Sequence, residues 1–252
     1  MKVASDLMVA VPKLHYNDFV TKARSVLRED VFRELYVLDD RDHLLGYLDI
    51  SDALKVTGTK SNVTVEGFVK EAATTSPDAP LGQVAQAIRK YSSSSAAIVD
   101  TDGRVLGGVL LSDLFPVLTS RHEIRGRVAD VMSRDVVTAA PHDPIPRIYT
   151  LITASGFSAF PVVAKRDLIG IVSRRDLLRA GSVRTAVKNA ADSTVERIMT
   201  TPAVTVSPDE TVGAAAALMV RHNISRLPVV EDAHLVGIID RHDVLNALVI
   251  QE

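Results

Sequence analysis

The run Ser173-Arg174-Arg175-Asp176 follows an apolar, β-type stretch and opens an apolar helical one. A serine hydroxyl and two guanidinium groups are donors suited to an anion, and the N–H groups and dipole of a helix starting here converge on the same point. A carboxylate one turn in can accept hydrogen bonds from both hydroxyls of a ribose. The same four residues also form an S-x-x-D capping box, with Ser173 at the N-cap and Asp176 at N3, worth about 1 kcal/mol of helix stability. On the sequence both readings stand. The pattern recurs as Asp240-Arg241-His242-Asp243, and in weaker form at Asp49 to Asp52 and Leu110 to Asp113.

These four positions close four copies of one longer pattern. LLGYLDISDAL starts at Leu44, VLGGVLLSDLF at Val105, LIGIVSRRDLL at Leu168 and LVGIIDRHDVL at Leu235. In each, a glycine (Gly46, Gly107, Gly170, Gly237) stands six residues before an aspartate (Asp52, Asp113, Asp176, Asp243). The third and fourth copies align without a gap from Val131 and Ile198 onwards, at a constant offset of 67 residues. A period of roughly 60 to 67 residues exceeds the common solenoid repeats, which points to small βα domains.

Periodicity within the third copy supplies the elements that hold the site. Val136 to Ala139 reads as a short strand, and Asp143 reads as the cap of a helix with Pro144 at its first position. Ile145, Ile148, Leu151 and Ile152 mark one buried helical face, and Gly156 closes the helix. AFPVVA from Ala159 and LIGIVS from Leu168 are β-rich runs either side of the polar turn KRD, a hairpin. RRDLLRA is a second helix, and VADVM a short helical lead-in. Each copy is therefore expected to be β-α-β-β-α, and the whole an α+β protein. Ser92 to Ser95 fall where the repeat puts its second strand and read as strand with a hydroxyl-rich face. VTGTKSN from Val56, TSRHEIRGR from Thr119 and GSVRTAVKNAAD from Gly181 read as joints between copies.

Composition narrows the function classes. Of 252 residues 46% are hydrophobic, enough for a sizeable core, and four copies with their joints leave no expected length for a catalytic domain. Residues 1–120 carry 13 Lys+Arg against 16 Asp+Glu and residues 121–252 carry 16 against 15, so neither half has the basic footprint of a nucleic-acid binder. The absence of cysteine excludes thiolate metal sites and thiol catalysis. The histidines form no i, i+4 pair or three-ligand cluster, so no metal is expected. No P-loop, nucleophile elbow or GxGxxG motif occurs. The N-terminus meets Asp6 and Pro12 before a signal-peptide core, and no apolar run reaches the ~20 residues of a membrane helix, so a soluble, cytoplasmic protein is expected.

The β-α-β-β-α unit, the LPVV-type strand, the hydrophobic-Gly-hydrophobic strand and the closing S-x-x-D together resemble the cystathionine β-synthase (CBS) domain, in a four-copy layout similar to that of the gamma subunit of AMP-activated protein kinase. The resemblance implies two tandem modules, 1–120 (repeats 1–55 and 63–118) and 121–252 (repeats 126–180 and 193–248), forming a monomeric disc or a homodimer. It implies a non-catalytic regulatory protein that binds AMP, ADP or ATP, with S-adenosylmethionine a further candidate, between paired repeats and signals to a partner protein. No cofactor is implied. A nucleotide-free interaction or oligomerisation scaffold is the alternative.

Carried over residue by residue, the resemblance assigns phosphate contact to Ser173 and ribose contact to Asp176, flanked by Arg174 and Arg175. In the fourth copy it points to Ile224, Ser225, Arg226 and Pro228 around the LPVV strand, and to Arg241, His242 and Asp243 at the helix start. Thr138 and Thr205 match the place where the first strand passes the adenine edge. Asp52 and Asp113 are weaker ribose candidates, because Asp49 and Leu110 replace the phosphate-contacting serine. Asp240 does the same in the fourth copy. Arg226 is the only arginine at its position, against Glu34, Ser95 and Ala159, which makes the second module the better nucleotide site.

Overall fold

This computed structural model describes residues 2–27, 32–56, 61–179 and 194–250. The chain is α+β and divides into two compact units, one of Met1–Glu123 with Leu248–Glu252 and one of Ile124–Ala247. In the first unit, the first repeat runs through strand Lys13–His15, helix Val20–Leu27, the hairpin Glu34–Leu38 and Leu44–Asp49, and helix Ile50–Lys55. The second repeat follows with Thr74–Thr75, Leu81–Tyr91, the hairpin Ser95–Val99 and Val105–Leu110, and helix Leu111–Thr119. Each forms a three-stranded sheet, with the first strand parallel to the second and the last two antiparallel.

The second unit repeats the plan with helix Ile145–Ser155, hairpin Ala159–Ala164 and Asp167–Ser173, and helix Arg174–Arg179. Helix Val212–Arg221, hairpin Arg226–Glu231 and His234–Asp240, and helix Arg241–Ala247 complete it. Here the predicted first strand shrinks to single parallel bridges, Ala139 to Val162 and Val206 to Val229. The helix at 145 buries Ile145, Ile148 and Ile152 and ends on Gly156 at φ 75, as its spacing predicts. Its start differs from expectation. Pro144, extended at ψ 142, is the N-cap, while the Asp143 carboxylate accepts from the Ala140 N–H at 2.7 Å and pairs with Arg147 at 3.2 Å. The hairpin turn is two residues, Lys165 and Arg166, both at positive φ, because Asp167 is already paired with Ala164.

Two other expectations shift. Of the serine run only Ser95 lies in the strand. Ser92 caps the preceding helix in the left-handed region at φ 50, and the Ser93 N–H bonds back to the Ile88 carbonyl. The joint at 119–127 contains the short strand Glu123–Ile124, whereas the joint from Gly181 lies outside the described residues, as do 57–60.

The repeated glycines explain how copies pair. In the first unit Val9 exchanges two backbone hydrogen bonds with Gly108 (2.9 and 3.0 Å), and Lys70 exchanges two with Tyr47 (both 2.8 Å). In the second, Ser133 exchanges two with Ile238 (both 2.9 Å), and Thr200 two with Ile171 (2.9 and 3.0 Å). Each repeat thus lays its lead-in on the last strand of the other. At the crossing stands the repeated glycine. A Cβ on Gly107 would lie 2.6 Å from Met8 Cγ, one on Gly237 2.5 Å from Met132 Sδ and one on Gly170 2.8 Å from the Thr200 carbonyl. Gly46 meets the Lys70 carbonyl in the same way. A strand glycine here marks the close approach of a second backbone.

Candidate functional site: the strand-to-helix junctions

At all four junctions the first helical N–H donates to a carbonyl at the start of the neighbouring strand. Ile50 donates to Arg33 (3.1 Å), Leu111 to Ser94 (2.9 Å), Arg174 to Ser158 (2.9 Å) and Arg241 to Ser225 (3.1 Å). The residue at that position is buried in every repeat, and Arg174 and Arg241 are so, at 8% and 9% exposure, although they carry charge. The first unit has Ile50 and Leu111 there.

In the third repeat the capping reading is realised. Asp176 Oδ2 accepts from the Ser173 N–H at 2.7 Å and from the Ser173 hydroxyl at 2.6 Å, while the Asp176 N–H approaches Ser173 Oγ at 3.4 Å. The reciprocal bonds go to Oδ2 and leave Asp176 Oδ1 for a ligand hydroxyl, whereas the Ser173 hydroxyl gives its one proton to Asp176 and would have to turn from it to reach a phosphate. Arg175 is exposed beside them. The fourth repeat does the same with a carboxylate cap. Asp240 Oδ1 accepts from the N–H groups of His242 (2.8 Å) and Asp243 (3.2 Å), and Asp243 Oδ2 accepts from the Asp240 N–H (2.8 Å). Burial and the Asp240 charge push the Asp243 carboxyl up to about 6, while His242 and Arg226 pull the other way. Arg226 starts its strand directly opposite Asp240, so the structure gathers Arg226, Asp240 and Asp243. Asp240, at the position where the resemblance implies a phosphate-contacting serine, is thus a helix cap.

The remaining candidates are less gathered. Pro228 is buried, Ile224, Ser225 and Thr138 are half-buried, and Thr205 is exposed. Asp52 is 6% exposed and pairs with Lys55 (2.7 Å) and Lys70 (2.5 Å). Burial opposes its charge, but the two lysines outweigh it and hold the carboxyl below its ordinary value. Asp49 caps its helix at the Ser51 N–H (2.6 Å). Asp113 is exposed and accepts from the Ser112 hydroxyl at 3.4 Å. A cleft of about 290 Å³ between Thr74–Ser76 and Gln83, Gln86, Ala87 and Lys90 shares no residue with these positions.

Sequence reasoning missed what the first unit does with the arginine position. Glu34 there is 5% exposed and bonded to Ser94 and Ser95 of the second repeat. The hydroxyl-rich run was the available signal, but its partner lies 60 residues away.

Comparison with known proteins decides the family. The CBS domain model matches residues 65–120, 128–183 and 195–250, two thirds of the chain. The chain belongs to the CBS-domain family. Over its whole length this CBS protein is 22% identical to protein MJ1225 of Methanocaldococcus jannaschii, covering 98% of this chain and 97% of that one. The crystal structure of MJ1225, proposed as an archaeal homologue of the gamma subunit of AMP-activated protein kinase, superposes at a TM-score of 0.78, with 20% identity and 97% and 99% coverage, and so shows a shared fold. The inosine-5'-monophosphate dehydrogenase of Korarchaeum cryptofilum is 36% identical over 119 residues, 47% of this chain and 23% of the enzyme. Protein MK0525 of Methanopyrus kandleri is 35% identical over 121 residues, 47% of this chain and 61% of its own length. The chain thus spans between a quarter and three fifths of the length of the first curated relatives it matches. Among the described residues of this CBS protein no helix is long and apolar enough to cross a membrane.

If Asp176 also holds a ligand, as the resemblance implies, a change of its carboxylate separates that role from the cap. An asparagine can keep its oxygen on the Ser173 N–H but offers a ligand an amide donor instead of a carboxylate oxygen. Asp176→Asn should leave the melting temperature of the ligand-free protein nearly unchanged while weakening adenosyl-ligand binding by about 1 to 3 kcal/mol in calorimetric titration. A drop in stability with intact affinity would leave Asp176 as a cap alone.

Proposed function

We propose that the unit of residues 124–247 is a regulatory, non-catalytic module that binds AMP, ADP or ATP between its two CBS repeats and passes its occupancy to a partner protein. One contrast carries this reading: buried Arg174 and Arg241 with half-buried Arg226 in the second unit, against Ile50, Leu111 and Glu34 at the same positions of the first. Three guanidinium groups around two helix starts supply the charge-assisted donors that a polyanionic tail needs. Ser173, its hydroxyl turned from Asp176 to the ligand, and Arg226 serve the phosphates, Asp176 and Asp243 the riboses, and Thr138, Thr205, Ile224 and Pro228 the base. A ligand that binds one arrangement of the repeats better than another shifts the population towards it, and this is the signal.

The first unit fits the scaffold reading. Its Asp52 is held by two lysines and its inter-repeat contact is filled by Tyr36, Tyr47, Val11 and Ala97.

Removing Arg226 tests the phosphate role. Arg226→Ala should weaken AMP, ADP or ATP binding by at least tenfold and reduce its salt dependence, while adenosine affinity stays unchanged. A uniform loss across charged and uncharged ligands would reduce Arg226 to a packing role. Unchanged nucleotide affinity would remove it from the site.

A further inference from the structure

The first unit buries a carboxylate that the nucleotide reading does not use. Glu34 Oε1 accepts from the Ser94 N–H at 2.6 Å and Oε2 from the Ser95 hydroxyl at 2.7 Å. Ser95 Oγ accepts from the Tyr36 hydroxyl at 3.0 Å, and the Ser93 hydroxyl donates to the Ser95 carbonyl at 2.8 Å. Glu34 and Tyr36 belong to the first repeat and the serines to the second, so this network is a polar joint between repeats. Tyr36 locks it sterically as well. A Cβ on Gly108 of the second repeat would lie 2.6 Å from the Tyr36 hydroxyl oxygen.

The charges around the joint are mixed. Asp49 sits opposite Glu34 in register, and Asp52, already paired with Lys55 and Lys70, lies one helical turn further on. Arg33 precedes Glu34 in the chain and favours its charge, and the Tyr47 hydroxyl feels Glu34, Asp49 and Asp52 together. Ser93, Ser94 and Ser95 of the second repeat bring donors but no charge. Burial, with a smaller push from Asp49, drives the Glu34 carboxyl up to about 7 against the hydrogen bonds and Arg33.

We propose that Glu34 is a proton-dependent latch between the first two repeats, closed when its carboxyl is neutral and weakened when it ionises. A neutral carboxyl keeps the Ser94 N–H on Oε1 and, in place of the bond it accepts as a carboxylate, donates its own Oε2–H to Ser95 Oγ, so that no charge is buried. Ionisation sets a carboxylate beside Asp49 in a water-poor joint. The folded unit then holds a proton that the unfolded chain releases near the ordinary value of 4.5. Its stabilising effect is therefore complete below that pH and is lost as pH rises through about 7. This latch stands independently of nucleotide binding in the second unit.

Urea unfolding of the full chain from pH 5 to 8.5, followed by tyrosine fluorescence, tests the latch. Four of the five tyrosines, Tyr16, Tyr36, Tyr47 and Tyr91, report on the first unit. Its folding constant should fall by up to about tenfold per pH unit up to neutrality and level off above. Glu34→Gln, a permanently neutral side chain, should flatten that slope, and the difference between the two proteins removes any background from Asp243. A wild type without slope, or a variant with the same slope, would overturn the latch. Should the variant not fold, carbon NMR titration of the wild-type Glu34 carboxyl decides. A midpoint near neutrality supports the latch, and one in the ordinary carboxylate range overturns it.

Discussion

Saturation of the second unit with an adenine nucleotide is expected to raise its stability by about 2.7 kcal/mol at a ligand concentration a hundred times the dissociation constant. For a chain of this size that corresponds to a melting shift of about 5 to 10 °C. The shift should appear in calorimetry with at least one of AMP, ADP and ATP, and be absent with inorganic phosphate or cytidine nucleotides at equal concentration. The physical demand behind it is twofold. On the proposed reading Arg174, Arg226 and Arg241 would attract the tail, while Asp176 and Asp243 would accept from ribose hydroxyls that inorganic phosphate lacks. Cytidine nucleotides share tail and sugar, so their failure isolates the base. An equal response to every nucleotide, or to none, would sink the sensor reading and leave the scaffold. A response confined to S-adenosylmethionine would keep the adenosyl part of the reading and remove the phosphate part.

Gly46→Ala is expected to be among the most damaging single changes in the first unit. Its added methyl meets the backbone carbonyl of Lys70 and the Val69 side chain, and the carbonyl is tied to Tyr47 through paired hydrogen bonds of 2.8 Å. Backbone cannot rotate away as a side chain can, so the loss should reach or exceed the top of the about 1 to 3 kcal/mol range for overpacking. In urea unfolding the midpoint should drop with the slope unchanged. Gly67→Ala is the control, because nothing lies within 4 Å of its added carbon. Equal behaviour of the two variants would mean that the lead-in of the second repeat does not rest on the strand of the first.

Much of the fold was legible because it is written in local patterns. The hairpin around Lys165 and Arg166, the helix face of Ile145, Ile148 and Ile152, and its end at Gly156 each follow from periodicity or from one backbone conformation. The first strand of the second unit failed the same reading. VVTA has β-type residues, yet it finds a single bridge partner, and strand length is set by the neighbour as much as by propensity. Asp143 was misread as a cap because Pro144 takes the extended N-cap conformation itself. Ser92 and Ser93 were misread as strand because the preceding helix needed a left-handed end.

The candidate site divides along the same line. Sequence alone determined the four copies, the S-x-x-D box at Ser173 and Asp176, and the contrast between Arg226 and Glu34, since repeat register and side-chain type are linear information. Only the tertiary structure decided that the capping reading of the box is realised, that Arg174 and Arg241 are buried, and that the glycines make room for exchanged lead-ins. It alone decided, too, that Glu34 closes on Ser94 and Ser95. The physical reason is that each of these depends on which backbone or donor arrives from a segment dozens of residues away. Burial and hydrogen-bond pairing are properties of that meeting, and no local pattern carries them.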